Sequence, residues 1–380
     1  MSAKSPVASA AQATIPVTQP TLAPLAEFTK YLEELWGNRI LTNSGPLHMR
    51  LEEALRDYLD VPHISLFNNG TVALMAAVKA LDLTGEVVTT PYSFVATAHS
   101  LAWNGLTPVF ADIDERTFGL SAKALDAAVT PETRGVMPVH CYGIPCDVDG
   151  IAKVAKEHGL KVIYDAAHAF GVKDRGKSVL RHGDLSVLSF HATKVFNTVE
   201  GGAIVCHDAE MKRRIDRLRN FGIADETSVT EVGLNGKLSE VHAAFGLAQL
   251  AHLGEALRGR EVVAKRYRKE LAGLKGLRIP EPAVDATENF SYFPVLIGPD
   301  FPLNRDELHA HLKGKGILSR RYFYPLISEM EAYASPGTTV DLPVSRRVAS
   351  QVLCLPMYAH LSETDQARII TAVAETSRTG

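Results

Sequence analysis

Two segments of this chain carry ionisable side chains that could act on one ligand. Val162-Ile163-Tyr164-Asp165 is an apolar run that ends in a carboxylate, and a buried carboxylate is costly unless a cation meets it. Lys194 follows a second apolar run, 29 positions after Asp165. A lysine held at a strand end can form a Schiff base with a carbonyl if its surroundings favour the neutral amine. Taken alone, Asp165 could instead cap a helix and Lys194 could be a solvated surface residue.

A third segment, Asn68-Asn69-Gly70-Thr71, stands at a predicted helix start. Free backbone N–H groups and the positive end of the helix dipole suit a phosphate there, although the segment could serve only as an N-cap. The three segments together require a ligand with a phosphate, a cationic ring nitrogen and a carbonyl. Pyridoxal 5′-phosphate (PLP) has all three groups, and its pyridinium nitrogen pairs with an aspartate.

The pattern of apolar residues predicts how these segments are positioned. Short apolar runs alternate with longer periodic segments, which indicates a mostly parallel sheet with helical crossovers. In an open sheet of this kind, the carboxyl ends of the strands line the ligand crevice. The predicted strands are 63–67, 86–90, 107–110, 135–139, 161–164, 185–189 and 202–206, and two of the helices are 72–81 and 93–103.

The pattern changes beyond Leu238. It predicts helices at 239–257 and 260–274, a strand at 290–297, a helix at 305–315, a strand region around Leu318 and closing helices. We therefore expect a large α/β domain over 22–255 and a smaller C-terminal α+β domain over 256–380. Residues 1–21 are rich in Ala, Ser, Pro and Thr and are interpreted as a flexible leader.

Composition excludes several classes of protein. With 40 basic and 43 acidic residues, a net charge of −3 and no block of like charges, the chain lacks the basic surface expected of a nucleic-acid-binding protein. No apolar stretch is long enough for a membrane span. The four cysteines form no CxxC pair, which argues against a disulfide framework or a ribbon-type zinc site and favours the cytoplasm.

The chain resembles the DegT/DnrJ/StrS family of sugar-nucleotide aminotransferases from about Leu41 almost to the C-terminus. Besides the three segments above, the matching motifs are TPYSFVATA at 90–98, PVHCYG at 138–143, GLN at 233–235, AAFGLAQL at 243–250 and LPMY at 355–358. The resemblance implies PLP as cofactor and the aspartate-aminotransferase fold (fold type I). That fold is an α/β architecture with a mostly parallel, seven-stranded-type sheet flanked by helices, followed by the smaller domain.

The resemblance also assigns roles around the cofactor. Lys194 would hold PLP as the internal aldimine and then move the proton between substrate carbon and cofactor. Asp165 would pair with the pyridinium nitrogen, keeping it protonated. His168 would lie near the phenolic oxygen of the ring, and Phe94 would lie over the ring face.

The same resemblance places the phosphate between two elements and two subunits. Gly70, Thr71 and Ser189 would hold it from one chain. Asn235 matches a residue that reaches the phosphate from the neighbouring subunit, which implies a homodimer with shared active sites.

Two stretches depart from the family pattern. Gly236-Lys237 stands where an aromatic residue followed by Arg is common. The segment from Arg320 resembles a substrate-side segment that often ends Pro-Leu-His, but Ile327 takes the last place here. Arg320 and Arg321, with Tyr322, are candidates for binding the nucleotide diphosphate or a glutamate carboxylate, although two surface arginines are an equal alternative.

The expected reaction is transfer of the amino group of L-glutamate to a nucleotide-linked keto-deoxysugar, at position four of a 4-keto-6-deoxyhexose, by a ping-pong mechanism. A related sugar dehydratase is disfavoured because its subgroup has histidine at the position of Lys194. A 3-amino-5-hydroxybenzoate-type synthase and a regulatory protein without turnover remain alternatives. A metal hydrolase built on His140, Cys141 and Cys146, or on Asp112 and Asp114, has no ordinary zinc spacing, so we expect no metal site.

Overall fold

The computed structural model describes residues 13–281, 285–334 and 341–377. Within these ranges no helix combines the length and the apolar character that a membrane crossing requires. The α-helices of the described ranges are α1 Leu25–Asn38, α2 Pro46–Leu59, α3 Gly70–Ala80, α4 Ala96–Trp103, α5 Ala122–Ala128, α6 Val148–His158, α7 Ala209–Leu218, α8 Glu240–Leu271, α9 Arg305–Gly314, α10 Pro343–Gln351 and α11 Glu363–Ala374.

The strands follow the predicted alternation with helices in the first two thirds of the chain. They are β1 His63–Phe67, β2 Glu86–Thr89, β3 Thr107–Phe110, β4 Thr133–Met137, β5 Lys161–Asp165, β6 Lys173–Asp174, β7 Lys177–Ser178, β8 Leu185–Ser189, β9 Gly202–Cys206, β10 Ile223–Asp225, β11 Ser228–Val229, β12 Leu277–Arg278, β13 Phe293–Ile297 and β14 Val352–Leu355.

The main sheet has seven strands in the order β1-β9-β8-β5-β4-β2-β3. Strand β9 is antiparallel to both of its neighbours, and the other neighbouring pairs are parallel. The prediction of a mostly parallel, seven-stranded α/β sheet is therefore confirmed. Strand β9 is reversed because no crossover helix separates it from β8, and a parallel partner needs such a crossover.

A single helix replaces the two helices predicted over 239–257 and 260–274. Helix α8 runs unbroken through Gly259, where an added Cβ would lie 2.6 Å from the carbonyl oxygen of Ala359. The close approach of this neighbour, rather than a break in the helix, explains the glycine. Leu253 packs into the core around α2, and Val263 packs into the core around β13 and β14. The division proposed near residue 255 thus falls inside α8.

The C-terminal part contains an antiparallel sheet of β12, β13 and β14. Strand β14 was not among the sequence predictions, which assigned only helices to this end of the chain. The strand region expected around Leu318 forms only isolated bridges, from Ile317 to Ile15 and from Arg320 to Cys354.

The N-terminal segment differs from the expected flexible leader of residues 1–21. Residues 1–12 lie outside the described residues, but 13–21 pack against the rest of the chain. Ile15 is 2% exposed; its N–H donates to the Gly316 carbonyl (2.8 Å) and its carbonyl accepts from the N–H of Leu318 (2.9 Å). The carbonyl of Val17 accepts from the N–H of Met357. Ile15 and Val17 are alternate apolar residues in a stretch of mostly small and polar residues. Their backbone groups make strand-like hydrogen bonds to the C-terminal part.

Candidate active site

The carboxyl ends of β5 and β8 open onto a cavity of about 670 Å³. Strand β1, which has the same direction, leads at this edge into the N-terminus of α3. This is the edge at which an open α/β sheet binds its ligands. The residues named from the sequence that line the cavity are Gly70, Thr71, Phe94, Asp165, His168, Ser189, Lys194 and Tyr322.

Asp165 is the last residue of β5 and is 5% exposed. Its carboxylate accepts hydrogen bonds from the Thr97 hydroxyl (2.8 Å) and from the N–H of Ala167 (3.1 Å). Burial raises the pKa of the Asp165 carboxyl, while these two donors and the nearby Lys194 oppose that rise. The Thr97 hydroxyl has a single proton and gives it to Asp165, so the Ser93 hydroxyl, 2.8 Å from that of Thr97, donates to Thr97 in turn.

Lys194 reaches the same cavity from the loop after β8. Burial lowers the pKa of its amine from 10.5 to about 8, although Asp165 and Cys141 partly oppose this. At neutral pH a much larger fraction of the amine is therefore uncharged than for a lysine in water. The uncharged form is the nucleophile and the base, so the site favours Schiff-base and proton-transfer chemistry.

His168 is buried and neutral, and its tautomer follows from its neighbours. Burial, with Lys194 nearby, holds the pKa of the imidazole well below its usual value. The N–H of Tyr142 donates to Nδ1 (3.2 Å), so the proton of the neutral ring sits on Nε2. Nε2 lies 3.5 Å from the Tyr292 hydroxyl. The ring also stacks on Phe323, with an interplanar angle of 1° and ring centres 5.9 Å apart.

The N-terminus of α3 and the end of β8 form a close backbone junction on the other side of the cavity. The Asn69 side chain caps the helix by accepting from the N–H of Val72 (2.8 Å). A Cβ added at Gly70 would lie 2.9 Å from Cβ of Ser189, a distance that real Cβ atoms essentially never show. Glycine is therefore required for the first-turn N–H groups to lie beside the Ser189 hydroxyl, which makes an anion-binding end.

Phe94 and Tyr322 line the outer part of the cavity. Phe94 is 60% exposed, which is unusual for a large apolar ring and leaves its face available to a flat ligand. Tyr322 packs edge-on against Tyr292, with ring centres 5.7 Å apart.

Three residues named from the sequence are not brought to this cavity by the described part of the chain. The Arg321 guanidinium pairs with Asp306 on α9 (2.8 Å). Arg320 is exposed, and its backbone pairs with Cys354. Asn235 accepts from the amine of Lys237 (2.8 Å) near the surface. The two arginines thus occupy the surface positions that the sequence left open as an alternative.

Several residues at the site were not singled out from the sequence. Thr97 belongs to the quoted motif at 90–98, and its position one helical turn after Ser93 could have signalled the relay to Asp165. Tyr292 lies just before β13, in a part of the chain with no sequence signal for this site. Its hydroxyl lies within 3.5 Å of both Lys194 Nζ and His168 Nε2.

The side chains weighed as metal ligands have other partners. Asp112 accepts from the N–H groups of Val344 and Ser345 at the start of α10. Nδ1 of His140 accepts from the N–H of Cys146, and the imidazole stacks on Tyr164. Across the described ranges, the structure contains no group of three or more side chains placed to hold a metal ion.

Two transaminases are similar to this chain over nearly its whole length. A transaminase of Shigella dysenteriae named for dTDP-4-amino-4,6-dideoxy-D-glucose is 57% identical over 359 residues, covering 94% of this chain and 98% of the relative. A transaminase of Escherichia coli with the same name is 51% identical over 353 residues, covering 92% and 95%.

Two solved structures have the same fold as this chain over most of its length. The structure of DesI in the presence of its TDP-sugar product has a TM-score of 0.91 and 36% identity, covering 98% of this chain and 96% of DesI. The structure of NtdA from Bacillus subtilis with bound cofactor PMP has a TM-score of 0.85 and 26% identity, covering 93% and 82%. The profile of the DegT/DnrJ/EryC1/StrS aminotransferase family matches residues 25–374, and the chain belongs to that family.

Proposed function

We propose that this protein is a PLP-dependent aminotransferase that moves the amino group of L-glutamate to a nucleotide-linked 4-keto-6-deoxyhexose. The observation that carries the proposal is the convergence of Asp165, Lys194 and the N-terminus of α3 on one cavity. The choice of sugar is supported by the names of the two relatives, which are transaminases of a dTDP-4-amino-4,6-dideoxy sugar.

The residues present fit PLP at three separate points. The buried Asp165 carboxylate has two hydrogen-bond donors but lacks a cation in direct contact among the described residues, so a protonated ring nitrogen would satisfy it. The amine of Lys194 is poised to react with a carbonyl. The junction of Gly70 with Ser189 would hold the phosphate with backbone N–H groups and a hydroxyl.

When bound, PLP supplies an electron sink for the pair of electrons left when a bond to the amino-bearing carbon breaks. Asp165 would hold the proton on the ring nitrogen, since an ionised carboxylate next to a cation stabilises the charged form. His168 would lie near an oxygen on the ring edge. Lys194 Nζ would take a proton from the substrate carbon and pass it to the cofactor, which suits an amine with a pKa of about 8.

Because one amine-carrying site serves both substrates, we propose that glutamate reacts and leaves as 2-oxoglutarate before the sugar nucleotide reacts, a ping-pong order. The described residues that line the cavity include no arginine to pair with the second carboxylate of glutamate. This supports a homodimer in which the partner supplies further groups, Asn235 among them. The four free, buried cysteines suit the cytoplasm, where thiols stay reduced.

The direct test is to incubate purified protein with PLP, L-glutamate and dTDP-4-keto-6-deoxyglucose and to identify the product by NMR. We expect equal amounts of 2-oxoglutarate and of a sugar nucleotide carrying an amine at C4. Lys194→Ala should lower the rate by at least about 10²–10⁴-fold, the usual contribution of a general base. The exposed Lys156→Ala is the matched control and should keep the wild-type rate.

Each alternative predicts a different product. A sugar that loses a hydroxyl and gains no amine would indicate a dehydratase. A protein that binds PLP but converts neither glutamate nor any keto-sugar nucleotide would contradict the proposal and favour a regulatory role.

A further inference from the structure

The Tyr292 hydroxyl lies between two groups of the proposed active site. It is 3.5 Å from Lys194 Nζ and 3.5 Å from His168 Nε2. The amine also lies 5.9 Å from the centre of the Tyr292 ring. Such distances are at the long end for hydrogen bonds, as is common before substrate is bound.

Hydrogen bonds to two other parts of the chain fix the segment that carries Tyr292. Asn289 Nδ2 donates to the carbonyls of His168 (2.8 Å) and Phe170 (3.0 Å), and Ser291 Oγ also donates to that of His168 (2.9 Å). From α8, Arg260 Nη1 donates to the carbonyl of Phe290 (3.1 Å). The loop after β5, which carries His168, and the segment that carries Tyr292 are thus held together, so the hydroxyl has a defined place.

The Tyr292 hydroxyl can both accept and donate a hydrogen bond. Since the proton of His168 sits on Nε2, His168 donates to the Tyr292 oxygen. The phenolic proton of Tyr292 is then available to the lone pair of a neutral Lys194 amine. When Lys194 is protonated, the direction reverses and the ammonium donates to the Tyr292 oxygen. Burial raises the pKa of Tyr292, so the hydroxyl keeps its proton.

We propose that Tyr292 is a positioning residue that holds the Lys194 amine in both of its protonation states. The inference rests on the proposed function, in which this amine is the proton carrier. In the first step the C–H bond of the amino donor breaks, its electron pair passes to the ring of the cofactor that the proposed function assigns to this site, and an N–H bond forms on Lys194. In the next step that N–H bond breaks, and the proton forms a C–H bond on the cofactor with the electron pair that the ring had accepted. A base that alternates between acceptor and donor needs a neighbour able to do the reverse, and a hydroxyl can.

The test is Tyr292→Phe in the holoenzyme, which removes one oxygen and keeps the ring in place. Single-turnover reaction with L-glutamate should slow roughly tenfold, the effect of losing a hydrogen bond to a charged group. The glutamate concentration at half-saturation should change less than about twofold. The isotope effect with α-deuterated glutamate should increase, because proton transfer becomes more rate-limiting. A purely structural defect would not raise that isotope effect.

A matched control removes a hydroxyl from the same aromatic cluster. Tyr92 bonds the carbonyl of Tyr322 (3.1 Å) and the hydroxyl of Tyr142, packs edge-on against Phe323, and is not among the described residues that line the cavity. Tyr92→Phe should keep the wild-type rate and isotope effect. As a second variant, Ser291→Ala loosens the segment that carries Tyr292 and should change both quantities in the same direction as Tyr292→Phe, but less.

A readout without turnover uses the protein loaded with pyridoxamine 5′-phosphate, in which the Lys194 amine is free. Acylation of Lys194, located by mass spectrometry at pH 9, should be several-fold faster in Tyr292→Phe because the lone pair loses its hydrogen-bond donor.

The outcomes separate the two proposals. If the wild type reacts with glutamate and Tyr292→Phe matches it in rate, isotope effect and acylation, the positioning role is rejected and the proposed function stands. If the wild type does not react with glutamate, the proposed function is rejected and this inference with it.

Discussion

Asp165 and Lys194 carry opposite ionisable groups, and both are removed from water at one edge of the sheet. Burial moves the two pKa values in opposite directions, upward for the Asp165 carboxyl and downward for the Lys194 amine, because it penalises the charged form of each. The hydrogen bond from Thr97 opposes the shift for Asp165. The site therefore combines a carboxylate that needs a cationic partner with an amine that readily becomes neutral, which is the pairing that PLP chemistry requires.

This argument predicts the pH dependence of Lys194 reactivity in the cofactor-free protein. Only the neutral amine is nucleophilic, so the rate of acylation of Lys194 should rise with pH and level off above about pH 8. Peptide mapping by mass spectrometry over pH 6–10 measures this rate for the single site. A rate that continues to rise beyond pH 9.5 would indicate an amine near its ordinary value of 10.5 and would contradict the role of burial.

At the scale of elements, the cavity depends on backbone segments that approach each other closely. The first turn of α3 and the end of β8 touch at Gly70 and Ser189, and Gly202 at the start of β9 touches the carbonyl of Asn69 in the same way. Helix α3 and strands β8 and β9 thus meet at Gly70 and Gly202, where any larger side chain would push the three elements apart. The phosphate-binding geometry proposed above follows from this packing as much as from the types of the residues.

Gly70→Ala tests this packing. The added methyl would meet Ser189 at 2.9 Å, so we expect a cost of about 1–3 kcal/mol, as for other overpacked sites, seen as a lower Tm and weaker PLP binding. Gly37→Ala in α1 is the control, since nothing lies within 4 Å of its added Cβ. There we expect a gain of about 0.5–1 kcal/mol from reduced chain entropy. Equal PLP affinity in Gly70→Ala and wild type, measured by fluorescence titration, would contradict the proposed junction.

At the scale of the whole molecule, α8 and the N-terminal segment join the large and small parts. Helix α8 contributes to both of the cores beside it. The N-terminal segment starts beside Ile317, passes Met357 and reaches Gln249 on α8, where the Thr21 carbonyl accepts from the Gln249 amide (2.6 Å). Val17 and Thr18 lie next to Tyr322, a residue of the cavity. The segment therefore packs on the C-terminal core and borders the wall of the site.

Ile15→Ala tests the contribution of this segment. We expect a loss of about 2 kcal/mol, the low end for such a change in a core, because a terminal segment can detach without unfolding the rest. The result should appear as a lower Tm and as faster proteolysis between residues 13 and 21. Leu22→Ala, at a side chain that is 65% exposed, should change neither measurement. Wild-type resistance to protease in Ile15→Ala would show that the buried contact does not hold the segment.

Much of the fold could be predicted because local patterns carry it. Strands β1, β3, β8 and β9 have the predicted limits residue for residue. Their apolar runs are short, and those of β1, β8 and β9 are mostly buried. The predictions were wrong where a choice depended on distant partners. Gly259 suggests a break in a helix until Ala359 is seen beside it, and Ile15 lies in a polar stretch until its pairing with Ile317 is known.

The sequence by itself determined the chemistry that we propose, because a strand-end carboxylate, a lysine and a glycine at a helix start together match three groups of one cofactor. Only the tertiary structure decided which side chains complete the site. Tyr292 approaches Lys194 across 98 positions of sequence, and Arg321 turns to Asp306 instead of the cavity. Such contacts depend on how whole elements pack, and no local pattern of residues encodes them.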